Sequence, residues 1–415
     1  VTNEDYQRAE KFLAANTTPL VINAISTPNW LQGGRLIYRK TVPGGYEYMV
    51  ANPVDKIHQA AFDHQRVAEQ LSRLTNETVN PLDMAFTGFQ SDDLNLRFTF
   101  KGKPFLISWA DGTVSRGTTV ASEKEFLSPN GKWAAYIKDH NLWVRNTENS
   151  KSMQLTFDGQ PEFGYGTNNA GWIQDDKPVL LWSPSSEKIA TFRQDSRGVK
   201  DMYLYNTQVG HVKLKAWKYP LPGDSLIFRV HRVIIHVTPQ PRLIKLDLPA
   251  DPQRSTITDH IAGRDGELLD AEWSEDGQTL AFVSSSRDHK VAQLRVAHAN
   301  TGAVRDVLRE EVDTYFESGK NKVNWHLLKG TDEVIWFSER DNWGHLYLYD
   351  LNTGALKNQI TKGAWAVLQV LKIDQANRHL YFLGSNREAG DPYFEYLYKM
   401  NFDGSGLTNL TPEPA

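Results

Sequence analysis

A strand, turn, strand motif returns along these 415 residues and limits the chain to folds assembled from small repeated sheets. Leu127-Ser128-Pro129-Asn130-Gly131-Lys132-Trp133-Ala134-Ala135-Tyr136 is echoed by Trp182-Ser183-Pro184-Ser185-Ser186-Glu187-Lys188-Ile189-Ala190-Thr191-Phe192. It returns as Trp273-Ser274-Glu275-Asp276-Gly277-Gln278-Thr279-Leu280-Ala281-Phe282. Asn-Gly and Asp-Gly supply the left-handed backbone that tight hairpins need, between apolar alternations of strand type. The motif serines stand at 128, 183 and 274. The second interval is about twice a propeller-blade period of roughly 40–50 residues. A four-stranded blade cannot bury both faces alone, so blades stack on their neighbours.

With weaker copies counted, blades are expected near 30–63, 96–120, 127–160, 180–222, 226–256, 270–310, 325–362 and 378–412. The expectation is therefore an all-β, eight-bladed β-propeller forming a single domain over 1–415. A helical N-terminal segment covers about 1–29, and the blades cover about 30–412. Short helices are expected only at 4–15 and at 63–74, where Asp63 can cap and Val67, Leu71 and Leu74 recur at helical spacing. At Leu410-Thr411-Pro412-Glu413 the pattern would call for one more hairpin, so either the N-terminal strand closes the ring or the chain stops short of closure. Trp182, Trp273 and Trp336 stand in apolar alternations beside turns and are expected between blades.

Composition narrows the function. A net charge of −4 without a concentrated basic run argues against nucleic acid as the main partner. The absence of cysteine removes disulfides and thiol catalysis. No apolar run reaches the roughly 18 residues of a membrane-spanning helix. The chain opens at Val1 rather than Met, so either a leader was removed or the chain was trimmed, and a cleaved secretory leader would fit an expected periplasmic or secreted location. The nearest histidine spacings, His58 with His64 and His231 with His236, match no zinc pattern, so neither metal nor other cofactor is expected.

Ser338-Glu339-Arg340-Asp341-Asn342-Trp343-Gly344-His345-Leu346-Tyr347-Leu348-Tyr349 resembles a signature in the propeller of the dipeptidyl peptidase IV family of serine peptidases. Thr301-Gly302, Glu310-Glu311, the Trp-Ser turns and Leu410-Thr411-Pro412-Glu413 follow in family order, and Ala61-Phe62-Asp63-His64 is similar to the opening segment of bacterial members. The resemblance implies a C-terminal α/β-hydrolase domain, absent from these residues, that carries a catalytic triad and releases dipeptides from peptide amino termini. It implies that the propeller gates access and helps position the amino terminus. No serine here has glycines two residues away on both sides, so the Gly-x-Ser-x-Gly elbow is missing and no catalytic residue is expected.

Family members usually grip the substrate ammonium with a Glu-Glu pair. Gly171-Trp172-Ile173-Gln174-Asp175-Asp176, followed by Leu181-Trp182-Ser183-Pro184, resembles that order with Asp175 and Asp176 in place of the glutamates and a shorter spacer. Two carboxylates can hold an ammonium by charge-assisted hydrogen bonds. The competing reading is a solvated turn. Glu310-Glu311 reads as charge that blunts a blade edge, and Arg340 with Asp341 as a structural ion pair. Expected partners are the hydrolase domain, a peptide substrate and, as an open alternative to a monomer, a second copy in a homodimer. A stand-alone periplasmic propeller binding a protein or peptide is the alternative function. A propeller glycosidase is weaker, since nothing brings two carboxylates together.

Overall fold

The computed structural model describes all residues except 1, 53, 93, 118–123, 168–175, 208, 254–267, 318–323 and 414–415. The chain divides into two compact units, Val1–Val120 and Ala121–Ala415. Among the described residues, strands form six four-stranded sheets, one six-stranded sheet and a two-stranded ribbon. Every strand pairing is antiparallel, and each four-stranded sheet runs in chain order from one edge to the other, as propeller blades do.

The first unit holds the sheets over 29–60 and 86–116. Helix Asn3–Glu10 opens with a Thr2 and Asp5 capping box and buries no residue. Helix His64–Thr75 starts where the Asp63 side chain accepts the Arg66 amide, and it buries Val67, Ala68 and Leu71. That face joins Ile37, Tyr48, Leu96 and Phe105 in one core. The Tyr48 hydroxyl fastens the two sheets: it donates to the Met84 carbonyl at 2.8 Å and accepts the Phe86 amide at 2.9 Å. Its side chain is buried, so both bonds are made away from water.

The second unit holds five blade sheets, over 126–154, 163–252, 271–311, 326–359 and 366–409. The expected eight blades are thus seven, two in the first unit and five in the second. The error lies at the segments expected as separate blades over 180–222 and 226–256. Strand Lys188–Asp195 pairs along its whole length with Arg229–His236, so both segments belong to the fourth sheet. Between them, Asp201–Tyr205 and Leu214–Lys218 pair only with each other as an excursion from the sheet. Tyr203, Leu204 and Tyr205 mimic a core strand in sequence, yet all three are exposed. Thr408–Asn409 pairs with Tyr398 and Lys399 and so completes the seventh sheet instead of opening another hairpin.

The cores lie between sheets. Trp182 packs between the third and fourth, Trp273 between the fourth and fifth, and Trp336 between the fifth and sixth. All three are buried, as their sequence setting predicts. Two of them also bond to a backbone carbonyl of the sheet before: Trp182 Nε1 donates to the Phe126 carbonyl at 3.4 Å, and Trp273 Nε1 to the Leu181 carbonyl at 3.1 Å. Each bond ties the first strand of one sheet to the first strand of the sheet before it. At the next junction the two first strands are tied by Glu272, whose carboxylate accepts the Leu327 amide at 2.8 Å.

Candidate functional site

The acidic segment singled out by sequence belongs to an interruption of the first strand of the fourth sheet. Phe163–Tyr165 and Leu181–Trp182 both pair with Lys188–Asp195, so the chain leaves that strand after Tyr165 and rejoins it at Leu181. The base of the excursion is closed by three hydrogen bonds. The Gly166 amide donates to the Phe192 carbonyl and the Val179 amide to the Gly166 carbonyl, both at 2.8 Å. The Thr191 hydroxyl donates to the Val179 carbonyl at 2.7 Å. Gly166 has φ +60°, and a Cβ there would stand 3.3 Å from Thr191 Oγ1, so glycine suits the turn on both counts. From Thr167 a polar chain runs inward. Its hydroxyl donates to Gln194 Oε1 at 3.1 Å, and Gln194 Nε2 donates to Gln253 Oε1 at 2.6 Å.

Asp175 lies outside the described residues, as does Trp172. Asp176 is exposed, and its Oδ2 accepts from Lys124 Nζ at 2.7 Å. Lys124 stands two residues before strand Phe126–Leu127 of the third sheet, so this bond spans from one sheet to the excursion of the next. The following residue, Lys177, places its Nζ 6.0 Å from the centre of the Phe126 ring. Sequence reasoning found Asp176 and missed Lys124. The only available signal was a cation just ahead of a blade's first strand, which has no distinctive spacing.

The two other acidic and basic motifs prove to be structural. Glu310, read as edge charge, is buried. Its carboxylate accepts from Trp336 Nε1 at 2.7 Å, from Arg340 Nη2 at 2.9 Å and from the Ser338 hydroxyl. Glu311 beside it is exposed and pairs with Arg309 at 2.8 Å. Arg340 therefore bonds to Glu310, correcting the expected Arg340–Asp341 pair. Its Nη1 also donates to the Tyr349 hydroxyl at 2.7 Å, and its guanidinium lies 4.4 Å from the Tyr347 ring centre. Asp341 instead accepts from Gln359 Nε2 at 3.0 Å. The carboxyl of Glu339 is pushed up, first by its crowded surroundings and then by the charges of Glu317 and Glu310. His345 is fully buried against Thr361 and the Gly363 carbonyl. The 338–349 signature thus fastens the fifth and sixth sheets.

Among the described residues no group of three or more His, Cys, Asp or Glu side chains is arranged to hold a metal ion. Nor is any helix among them long and apolar enough to cross a membrane. The paired histidines of the sequence serve elsewhere. His58 bonds with the Tyr38 hydroxyl at 2.6 Å, His64 Nε2 accepts the Tyr48 amide at 2.7 Å, and His236 Nε2 lies 3.1 Å from the Ala299 carbonyl.

Comparison with known proteins gives this architecture a family. Two solved structures share the fold: a protein described as a putative dipeptidyl aminopeptidase IV from Bacteroides ovatus and the dipeptidyl peptidase 4 of Porphyromonas gingivalis. The first has a TM-score of 0.64 at 18% identity, over 93% of this chain and 53% of its own. The second has a TM-score of 0.64 at 16% identity, over 100% of this chain and 56% of its own. A curated relative, the probable dipeptidyl peptidase 4 of Aspergillus flavus, is 23% identical over 302 residues, covering 69% of this chain and 37% of the relative. The dipeptidyl peptidase 4 of Trichophyton rubrum is 23% identical over 295 residues, 68% of this chain and 36% of its own length. The chain thus spans little more than a third of these relatives. The family model for the dipeptidyl peptidase IV (DPP IV) N-terminal region matches residues 90–415, well over half of the chain, and the chain belongs to that family.

Proposed function

We propose that residues 1–415 work as one non-catalytic propeller domain of a dipeptidyl peptidase IV-like serine exopeptidase. In this reading the domain gates access to a catalytic α/β-hydrolase domain of the same polypeptide and helps position the amino terminus of a peptide substrate. The observation that carries the reading is the anchored excursion between Tyr165 and Leu181, which bears the acidic pair, within a chain of this family. The hydrogen-bonded base fixes where the excursion leaves and rejoins the sheet, and positioning a substrate requires such a fixed mount. Asp175 and Asp176 would accept hydrogen bonds from the substrate ammonium, with the two negative charges adding attraction.

The test is kinetic. In the full-length protein, Asp176→Asn should lower kcat/KM for dipeptide release roughly tenfold, since a charge-assisted hydrogen bond weakens to a neutral one. The melting temperature should hold, because an exposed ion pair contributes only about 0–1 kcal/mol. An unchanged kcat/KM would discard the acidic site and leave the propeller as wall and gate.

A homodimer is part of the same reading, and the ribbon supports it. On one ribbon face Tyr203 stands opposite Ala216 and Tyr205 opposite Leu214. Tyr203, Tyr205 and Leu214 are all more than half exposed, an apolar face of the kind that marks protein contacts. Tyr203→Glu combined with Tyr205→Glu should turn a dimer into a monomer by light scattering. A parent protein that is already monomeric would remove this element.

A further inference from the structure

We propose that Lys124 is an internal stand-in for the substrate ammonium, holding Asp176 until a peptide amino terminus displaces it and so setting how readily the peptide binds. The inference rests on the reading of the acidic pair given above. A lysine side chain and a peptide α-ammonium present the same recognition chemistry, one positive charge and three N–H donors. Lys124 Nζ already makes the contact such an ammonium would make, 2.7 Å from Asp176 Oδ2.

The environment of this contact favours exchange over permanence. The Lys124 and Asp176 side chains are 66% and 70% exposed, so water and salt compete for both charges. A buried pair would be held by the desolvation each ion suffers when left alone, and an incoming ammonium could not replace one partner. The charge count points the same way. The Asp176 carboxylate is followed in sequence by the positive charge of Lys177 and is itself paired with Lys124. A free amino terminus therefore meets a carboxylate that is partly neutralised, and its apparent affinity falls by the fraction of time Lys124 occupies the acceptor.

The experiment is a double-mutant cycle in the full-length protein with a chromogenic Ala-Pro substrate. Lys124→Met should lower KM about threefold at unchanged kcat, the scale of an exposed ion pair, and Lys124→Arg should match the parent. Asp176→Asn should raise KM, and adding Lys124→Met to it should have no further effect. If Asp176→Asn raises KM while Lys124→Met leaves it unchanged or raises it, the stand-in role is overturned and the acidic site survives. If Asp176→Asn changes nothing, the site and its counter-ion fall together. Calorimetric binding of free Ala-Pro gives the same comparison without turnover. Tighter binding by Lys124→Met than by the parent is expected, and no binding by any form would overturn the proposal.

Discussion

Arg232→Met should destabilise the second unit by about 3–5 kcal/mol, the penalty for removing one partner of a buried ion cluster. The Arg232 guanidinium reaches Asp251 Oδ2 at 2.8 Å and the two Asp270 oxygens at 2.6 and 3.1 Å. It also donates to the Val283 carbonyl at 3.2 Å and lies 4.7 Å from the centre of the Phe282 ring. The three charged side chains are 5%, 10% and 11% exposed, so water can replace little of what the arginine supplies. Burial works against the charge on Arg232, but the carboxylates of Asp270 and Asp251 outweigh it and hold its pKa above the ordinary value. With methionine in place, both carboxylates would lose the guanidinium in a buried junction between the fourth and fifth sheets, although Asp251 keeps the Ser284 hydroxyl and, at 4.0 Å, Arg295. Adding Asp251→Asn and Asp270→Asn to Arg232→Met should then recover part of the loss, because the charges left without the guanidinium are gone. Chemical denaturation of the single and triple variants checks both statements. A single variant as stable as the parent would show that the cluster is hydrated in solution.

Trp273→Ala should cost about 3–5 kcal/mol by a different route, an unfilled cavity between sheets. Trp273 is 3% exposed and packs with Val179, Phe192 and Phe282. The substitution also removes the indole donor to the Leu181 carbonyl, and with it one tie between adjacent first strands. Trp182→Ala should lose less through hydrogen bonding, since its bond to Phe126 is longer, but a similar amount through packing. A thermal melt of Trp273→Ala that overlaid the parent would contradict its assignment to the core.

Much of this architecture was legible in sequence because it repeats. The Trp-Ser turns locate the hairpins and name the tryptophans that fill two junctions, and burial of Trp182 and Trp273 follows from that pattern alone. The blade count was misread because Tyr203, Leu204 and Tyr205 form an apolar run like a core strand while lying on an exposed ribbon. Periodicity reports a strand and cannot say which strand it pairs with. Burial of Glu310 was hidden for a related reason: a glutamate at a strand end looks like edge charge until Trp336, Ser338 and Arg340 converge on it from the next sheet. Arg232, Asp251 and Asp270 share no motif, since the fold alone brings them together. At the candidate site, Asp176 was readable through family order, whereas Lys124 belongs to another sheet and only the fold places it there.

The most direct test is a turnover assay of residues 1–415 alone beside the full-length protein, using a chromogenic Xaa-Pro substrate. The serine elbow needed for acyl transfer is missing from this sequence, so the isolated chain should release no dipeptide while the full-length protein does. Turnover by residues 1–415 that survives contaminant controls, or a full-length protein that carries no hydrolase domain, would contradict the account.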